Sequence, residues 1–157
     1  PSLNPIQMRT KCQRVNYKYG LDLIILDYLQ LMHAPGYTNN RVQEISFISR
    51  QMKELAREID VPLLSAAQLS RAVEQRSDKR PQLSDLRESG SIEQDADIVM
   101  FLYRDVVYNE ATENPNQADV IVAKHRNGPT DTIPLYFDAS STRFRDGTRQ
   151  NIDLSAL

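Results

Sequence analysis

Polar residues that follow short apolar runs are the first candidates for chemistry in this sequence. Six of them stand where such a run ends: Asp27, Gln68, Arg104, Lys124, His125 and Arg126. In an open α/β sheet, ligands bind beyond the carboxyl ends of the strands. An aspartate after four aliphatic residues is typical of a carboxylate that binds Mg²⁺ beside nucleotide phosphates, although any strand can end in aspartate. Gln68 can sense a phosphate, or it can cap the next turn.

The basic pair Lys124 and Arg126 has strand-like spacing. Residues two apart on an extended strand lie on the same side, so both side chains could bind one anionic group. Basic residues that protect an edge strand give the same pattern. Both interpretations remain open from the residues alone.

A polar stretch in the middle of the chain suits contact with a nucleic-acid backbone. Between Arg71 and Arg80 basic side chains outnumber acidic ones by four to two, and Arg87, Glu88 and Gly90 follow. A glycine beside an arginine lets backbone amides approach a phosphate closely. The region has no aromatic residue on which a base could stack. Any single strand bound here is therefore expected to be held by its phosphates, although the interleaved acids argue against a simple electrostatic funnel.

Helix and strand signals alternate along the chain. Asn4 and Pro5 predict a helix start and Gly20 its end. A second helix is predicted over Asn40–Ile59, because its apolar residues recur every three or four positions. The predicted strands are Leu21–Asp27, Pro62–Gln68, Ile98–Tyr103, Asp119–Ala123 and Thr132–Phe137, with a last short strand at Phe144.

This order predicts an α/β domain. Strand–helix–strand units with short connections form parallel pairs with right-handed crossovers. The turn sequence Asn127-Gly128-Pro129 joins two later strands as a hairpin. We therefore expect a mostly parallel sheet that continues into antiparallel edge strands. The first two strands are almost continuously apolar, so they are expected to be covered on both faces.

Composition excludes several classes of protein. The 157 residues, 18.0 kDa, suit one domain or a piece of one. A net charge of −2 gives no general attraction to polyanions. The single Cys12 excludes an internal disulfide and a multi-cysteine zinc site, and two histidines suggest no catalytic triad. There is neither a membrane-spanning run nor a secretory pattern. The absence of an initiator Met leads us to expect that the chain starts in mid-fold.

Three segments, in this order, resemble the C-terminal motor domain of the DnaB-family bacterial replicative helicases. They are LDLIILDYLQLM, SAAQLSRAVEQRSDKRPQLSDLRESGSIEQDADIVMFLYR and IVAKHRNGP, and the match runs from about Ile6 to Phe144. The resemblance implies a RecA-like P-loop NTPase core. It also implies a hexameric ring of copies around single-stranded DNA, with ATP and Mg²⁺ bound between neighbouring subunits. It further implies unwinding of DNA 5′ to 3′, with a primase and a helicase loader as partners and no membrane contact. The expected location is a bacterial cytoplasm or a plastid.

The resemblance also implies roles for the nucleotide-site candidates. Asp27 resembles the Walker B carboxylate that binds Mg²⁺, and Gln68 resembles the residue that senses the γ-phosphate. Arg126 resembles the arginine finger that reaches the nucleotide of the adjacent subunit, with Lys124 beside it. Positive charge supplied in trans would make hydrolysis depend on the ring.

For DNA, the resemblance implies that Arg87, Glu88 and Gly90 belong to the loop that contacts phosphates in the central channel. The family's phosphate loop, which ends in Gly-Lys-Ser/Thr, does not occur in this sequence. We expect that loop and the glutamate that activates water to lie upstream of Pro1. Residues 1–146 are thus expected to form the distal portion of an N-terminally incomplete motor domain, inactive by itself, with residues 147–157 as a tail.

Two alternatives remain. The chain could be a non-catalytic binding or assembly module of the replication machinery, or a RecA-like recombinase or circadian-type ATPase with the same fold. The contiguous block around Arg87 favours the helicase over the second alternative.

Overall fold

A computed structural model describes residues 3–37 and 40–146, with the side chains of 87–90 excepted. The chain forms two compact units. The first comprises the described residues up to Ala72 together with Ser84–Ala96, and the second comprises Val73–Leu83 together with the described residues from Asp97 onward. The predicted tail, 147–157, lies outside the described residues. Within the described ranges, no helix combines the length and apolar character needed to cross a membrane.

The first helix, α1 (Pro5–Tyr19), begins and ends where the sequence predicts. The Asn4 side chain accepts a hydrogen bond from the Gln7 amide at 2.8 Å, and the Gln7 side chain accepts one from the Asn4 amide at 3.3 Å. This reciprocal capping box satisfies two amides that have no partner within the helix. Gly20 ends the helix with φ +78°, a conformation that glycine adopts without a Cβ clash.

The second helix, α2 (Arg41–Glu58), supplies most of the core of the first unit. Asn40 caps it by accepting from the Gln43 amide at 3.1 Å. Its apolar stripe is buried, with Ile48 fully inaccessible to solvent. The stripe packs against α1, the first strand and the segment that follows this strand, through a cluster of buried residues: Met8, Ile24, Leu29, Met32, Ala34, Ile45, Ile48, Met52, Leu55 and Val61.

Two short strands of the first unit, β1 (Ile24–Leu26) and β2 (Leu63–Ser65), form a parallel pair. The expectation that they are covered on both faces is wrong for the described chain. Ile24 is buried, whereas Ile25 is 68% exposed and its register partner Leu64 is 47% exposed. The physical reason is that α2 and the core cover one face, and no described element of this unit buries Ile25 and Leu64 on the other.

The second unit is built on a four-stranded antiparallel sheet in the order β3-β4-β5-β6. Its strands are β3 (Ile98–Tyr103), β4 (Gln117–His125), β5 (Asp131–Asp138) and β6 (Arg143–Asp146). The predicted strands and hairpin turn are confirmed, and the fold is α/β. The strands pair as two sheets, however, rather than as one sheet with antiparallel edges.

The pairing of β3 with β4 contains a β-bulge. Val99 is opposite Lys124, but Met100 is opposite Val122, so Ala123 is the additional residue. Alternate residues of β3 differ in burial: Phe101 is 5% exposed and Leu102 is 64% exposed.

Five short helical segments were not predicted from the sequence. They are the 3₁₀ helices Leu29–Leu31, Arg71–Gln75, Leu83–Ser89 and Asp105–Val107, and α3 (Gly90–Asp95). Such short segments have no apolar repeat long enough to be recognised in a sequence. α3 is attached to α2 by a hydrogen bond of 2.8 Å from the Ser49 hydroxyl to the Asp95 carboxylate.

Candidate functional site

Asp27 and Gln68 lie at the same end of the parallel pair. Asp27 directly follows β1, and Gln68 comes three residues after β2. Because β1 and β2 are parallel and in register, their carboxyl ends are adjacent. Both side chains are exposed at this end of the sheet, which is where a ligand binds in an α/β fold.

The backbone continues to pair beyond the ends of β1 and β2. The Ala66 amide donates to the Leu26 carbonyl and the Leu29 amide donates to the Ala66 carbonyl, each at 3.0 Å. Farther along, the Gln30 side chain contacts the backbone of Gln68. The segments after the two strands therefore stay together as far as Gln68.

A single exposed carboxylate is compatible with Mg²⁺. Magnesium usually keeps several waters and takes one or two carboxylates together with substrate phosphates. Among the described residues no cluster of three or more metal-ligating side chains occurs, so they offer no closed protein cage for a metal. Asp27, exposed at the strand end, fits the open type of magnesium site.

Lys124 and Arg126 lie at the end of β4. Lys124 lies within β4, but Arg126 lies one residue beyond it, in the turn to β5. Its guanidinium Nε forms an ion pair with the Asp97 carboxylate at 2.9 Å, and its amide donates to the Asp97 carbonyl at 2.8 Å. Arg126 therefore lies just past the end of β4, which ends at His125, and the binding of one anionic group by Lys124 and Arg126 stays a prediction.

The ion pair between Arg126 and Asp97 is exposed to solvent. The side chains of Arg126 and Asp97 are 51% and 54% exposed. An exposed ion pair contributes only about 0–1 kcal/mol, because water screens both charges. This ion pair by itself therefore contributes little to the stability of the fold.

Arg87, Glu88 and Gly90 lie at the junction of the 3₁₀ helix Leu83–Ser89 with α3. The side chains of Arg87 and Glu88 lie outside what the structure describes, so the contact of this loop with DNA stays a prediction. The surrounding backbone is well attached, since the Ser70 amide donates to the Asp85 carbonyl at 3.0 Å. Asp85 itself is buried.

Comparison with known proteins gives the family. The family model described as DnaB-like helicase C terminal domain matches residues 1–146. The chain belongs to this family. It is 54% identical over 145 residues to the replicative DNA helicase DnaB of Geobacillus stearothermophilus, and 52% identical over 145 residues to the replicative DNA helicase DnaC of Bacillus subtilis (strain 168). Each alignment covers 92% of this chain and 32% of the relative.

Solved structures agree with the family. One that is described as an ATPase domain is 45% identical, with a TM-score of 0.88, over 92% of this chain and 52% of that one. A second, described as a DnaB-like replicative helicase and its interactions with primase, has the same identity and TM-score over 92% of this chain and 36% of that one. The expected RecA-like fold is thus confirmed. The chain spans about a third of the length of the curated relatives that it matches.

Within this DnaB-like domain, two arginines of the basic stretch before Arg87 make internal contacts. Arg80 forms an ion pair with the buried Asp119 at 2.8 Å, and its guanidinium lies 4.9 Å from the centre of the Tyr103 ring. The Arg76 side chain donates to the Arg80 carbonyl at 2.8 Å. Arg76 and Arg80, two of the four basic residues counted in this stretch, therefore make contacts within the second unit.

Sequence reasoning missed Tyr103, Asp105 and Asp119. They line a cavity of about 180 Å³ together with Arg80, Thr112, Asn114 and Gln117. Burial raises the pKa of Tyr103 to about 12, with the hydrogen bond to the Asp105 carboxylate acting in the same direction. The alternation of residues between the two faces of β3 and β4 is the one sequence signal that could have placed Tyr103 and Asp119 on neighbouring strands.

Proposed function

We propose that this chain is the distal part of the motor domain of a hexameric replicative DNA helicase. In this function, ATP hydrolysis drives 5′–3′ movement along single-stranded DNA and separates the duplex. The observation that carries the proposal is the 54% identity over 145 residues to a replicative DNA helicase. The placement of Asp27 and Gln68 at one end of the parallel strands supports it.

Each candidate residue has a chemical task in this proposal. Asp27 binds Mg²⁺, which when bound neutralises charge on the β- and γ-phosphates. Gln68 donates its side-chain amide to the γ-phosphate. Lys124 and Arg126 supply positive charge to the nucleotide held by the neighbouring subunit, where that charge stabilises the transition state. Arg87, Glu88 and Gly90 contact the phosphates of single-stranded DNA.

The partners follow from the same proposal. A primase is proposed because one structural relative is described together with its interactions with primase. A helicase loader and further copies of the chain in a ring complete the set. Since Arg126 is proposed to act on a neighbour's nucleotide, only the assembled ring would be active.

A chimera tests the proposal. Residues 1–146 of this chain replace the corresponding segment of the Geobacillus stearothermophilus DnaB, to which this chain is 54% identical. We expect the chimera to hydrolyse ATP and to unwind a forked duplex from its 5′ tail. A chimera that assembles but neither hydrolyses ATP nor unwinds DNA would contradict the proposal.

Arg126→Ala in that chimera tests the trans-acting charge. We expect ATP hydrolysis to fall by about a thousandfold, the order of the effect of an arginine finger. The matched control is Arg145→Ala, because Arg145 is also an exposed arginine in an ion pair, with Asp138 at 2.9 Å. Equal rates for both variants would refute the assignment of Arg126.

Arg87→Ala tests the DNA loop. We expect weaker binding to single-stranded DNA for every sequence, and a salt slope reduced by about 0.7 for each phosphate that is no longer neutralised. Salt titrations of the chimera, with Arg145→Ala again as the control, measure both quantities. An unchanged slope and affinity would remove Arg87 from the DNA site.

The alternative of a non-catalytic assembly module is tested with the chain alone. The sequence has no Gly-Lys-Ser/Thr phosphate loop, so we expect no hydrolysis and no tight binding of a fluorescent ATP analogue. Tight Mg²⁺-dependent binding would contradict the module interpretation.

A further inference from the structure

The Gln30 side chain makes two hydrogen bonds to the backbone of one other residue, Gln68. Its Nε2 donates to the Gln68 carbonyl at 3.2 Å, and its Oε1 accepts from the Gln68 amide at 3.1 Å. A primary amide offers a donor and an acceptor side by side, as a neighbouring strand does. The Gln30 side chain therefore acts as one more rung of the β1–β2 pairing.

This rung lies where pairing by the main chain has ended. The last backbone bonds between the two segments join Leu26 and Leu29 to Ala66. Gln68 is two residues farther on, and there a side chain provides the partner. The backbone at Gln68 is thus fixed while its own side chain remains exposed.

Gln30 is itself held by the first turn of α2. The Arg41 guanidinium donates to the carbonyl of Gln30 and, at 3.3 Å, to that of Met32. Arg41 also forms an ion pair with Glu44 at 2.5 Å. The Glu44 carboxylate accepts from the Ala34 amide at 2.8 Å. The segment that carries Gln30 is therefore attached to the helix at several points.

We propose that Gln30 is a positioning residue for Gln68, and that it couples the segment after Asp27 to the γ-phosphate sensor. The inference rests on the proposed function of Gln68. Fixing the Gln68 amide and carbonyl sets the direction of its Cα–Cβ bond, and thereby the reach of its side chain. Gln30 is only three residues after Asp27. Its hydrogen bonds to Gln68 therefore hold the distance between the Asp27 carboxylate and the Gln68 side chain constant.

Hydrogen exchange in the 157-residue chain tests the hydrogen bond directly. Gln30→Ala removes the acceptor for the Gln68 amide, so we expect that amide to exchange about fivefold faster. Gln30→Glu keeps an oxygen acceptor, and the Gln68 amide should stay protected. Gln51→Ala, which removes the hydrogen bond of another half-buried glutamine, to Glu54, is the matched control. Unchanged exchange at Gln68 in Gln30→Ala would overturn the proposal.

Steady-state kinetics of the DnaB chimera test the consequence. We expect Gln30→Ala to lower kcat for ATP hydrolysis by about tenfold, with KM changed by less than about twofold, because a displaced sensor chiefly weakens stabilisation of the transition state. The double variant with Gln68→Ala should be no slower than Gln68→Ala alone.

The outcomes separate the two proposals. If Gln68→Ala is impaired and Gln30→Ala is not, the positioning role is wrong and the sensor role of Gln68 stands. If Gln68→Ala hydrolyses ATP at the parent rate, the sensor role is wrong, and the positioning role fails with it. A Gln30→Ala variant that melts at a lower temperature but keeps the parent kcat also overturns the positioning role.

Discussion

Glu44 is a carboxylate that the fold buries, with only 8% of its surface exposed. Burial alone would favour the neutral acid, but the amide of Ala34, the guanidinium of Arg41 and the nearby His33 outweigh it. Together they hold the pKa of Glu44 below its ordinary value of 4.5. The charged form is therefore the one that the folded state stabilises.

The lowered pKa predicts acid sensitivity that depends on this residue. A carboxyl with a lowered pKa in the folded state adds stability above its unfolded pKa, and that stability is lost as pH falls through the folded pKa. Melting temperatures measured from about pH 7 down to about pH 3 should therefore fall less steeply for Glu44→Gln than for the parent chain. At neutral pH Glu44→Gln should itself be less stable. Glu110→Gln, at an exposed position, should follow the parent, and parallel curves for Glu44→Gln would contradict the prediction.

At the residue scale, the sequence predicted candidate positions but not their contacts. Asp27 and Gln68 were identified because each ends an apolar run, and parallel pairing places them at one end of the sheet. Gln30 and Arg41 could not be found in this way. Their contacts join residues 38 and 11 positions apart, and nothing in the local pattern of either residue indicates a partner.

At the element scale, helix ends were well predicted because they depend on local chemistry. The start of α1 follows from the hydrogen bonds that the Asn4 side chain can make, and its end follows from the conformational freedom of Gly20. The short 3₁₀ helices have no comparable signal. Strand coverage was overestimated because an apolar residue such as Ile25 has the same sequence signature whether it is buried or exposed.

The capping box of α1 gives a stability prediction. Asn4→Ala removes the acceptor for the Gln7 amide, and we expect a loss of about 1 kcal/mol in the free energy of unfolding. Asn4→Asp keeps an oxygen acceptor, so it should change the free energy of unfolding by less than about 0.5 kcal/mol. Urea unfolding of the chain measures both. Equal losses for the two variants would show that the side-chain oxygen acceptor is not the source of the stabilisation.

The ion pair of Arg80 with Asp119 attaches the segment Val73–Leu83 to β4. Arg80→Leu leaves the buried Asp119 carboxylate without its cation, and we expect a loss of about 1–3 kcal/mol. Adding Asp119→Asn should recover part of that loss, because an amide retains the hydrogen bond from Gln117 and carries no charge. Urea unfolding of the two single variants and the double variant gives the coupling free energy between Arg80 and Asp119. If the losses simply add, the pair does not stabilise this attachment.

At the scale of the whole molecule, each unit has one sheet with a buried and an exposed apolar face. In the first unit Ile24 and Ile25 are sequence neighbours on opposite faces, 8% and 68% exposed. We expect Ile24→Ala to cost about 2–5 kcal/mol and Ile25→Ala no more than about 0.5 kcal/mol. Thermal unfolding of the two variants checks this. Equal losses would mean that the Ile25 face is packed in the folded chain.

The overall fold class was predictable because strand–helix–strand order leaves few topologies. The division of the strands between two sheets was not, since pairing partners far apart in the sequence leave no local pattern. Membership of the DnaB-like family was indicated by contiguous segments of sequence, chiefly the block around Arg87, rather than by composition or charge.

The bulge at Ala123 has a consequence for the basic end of β4. In a regular strand, alternate residues lie on the same face, so Val122 and Lys124 would share one. Lys124 would then lie on the exposed face of the sheet, the face of Met100. The additional residue shifts the count, so Lys124 is opposite the buried Val99 instead. Which side of the sheet receives this positive charge is thus decided by a residue whose own side chain is a single methyl group.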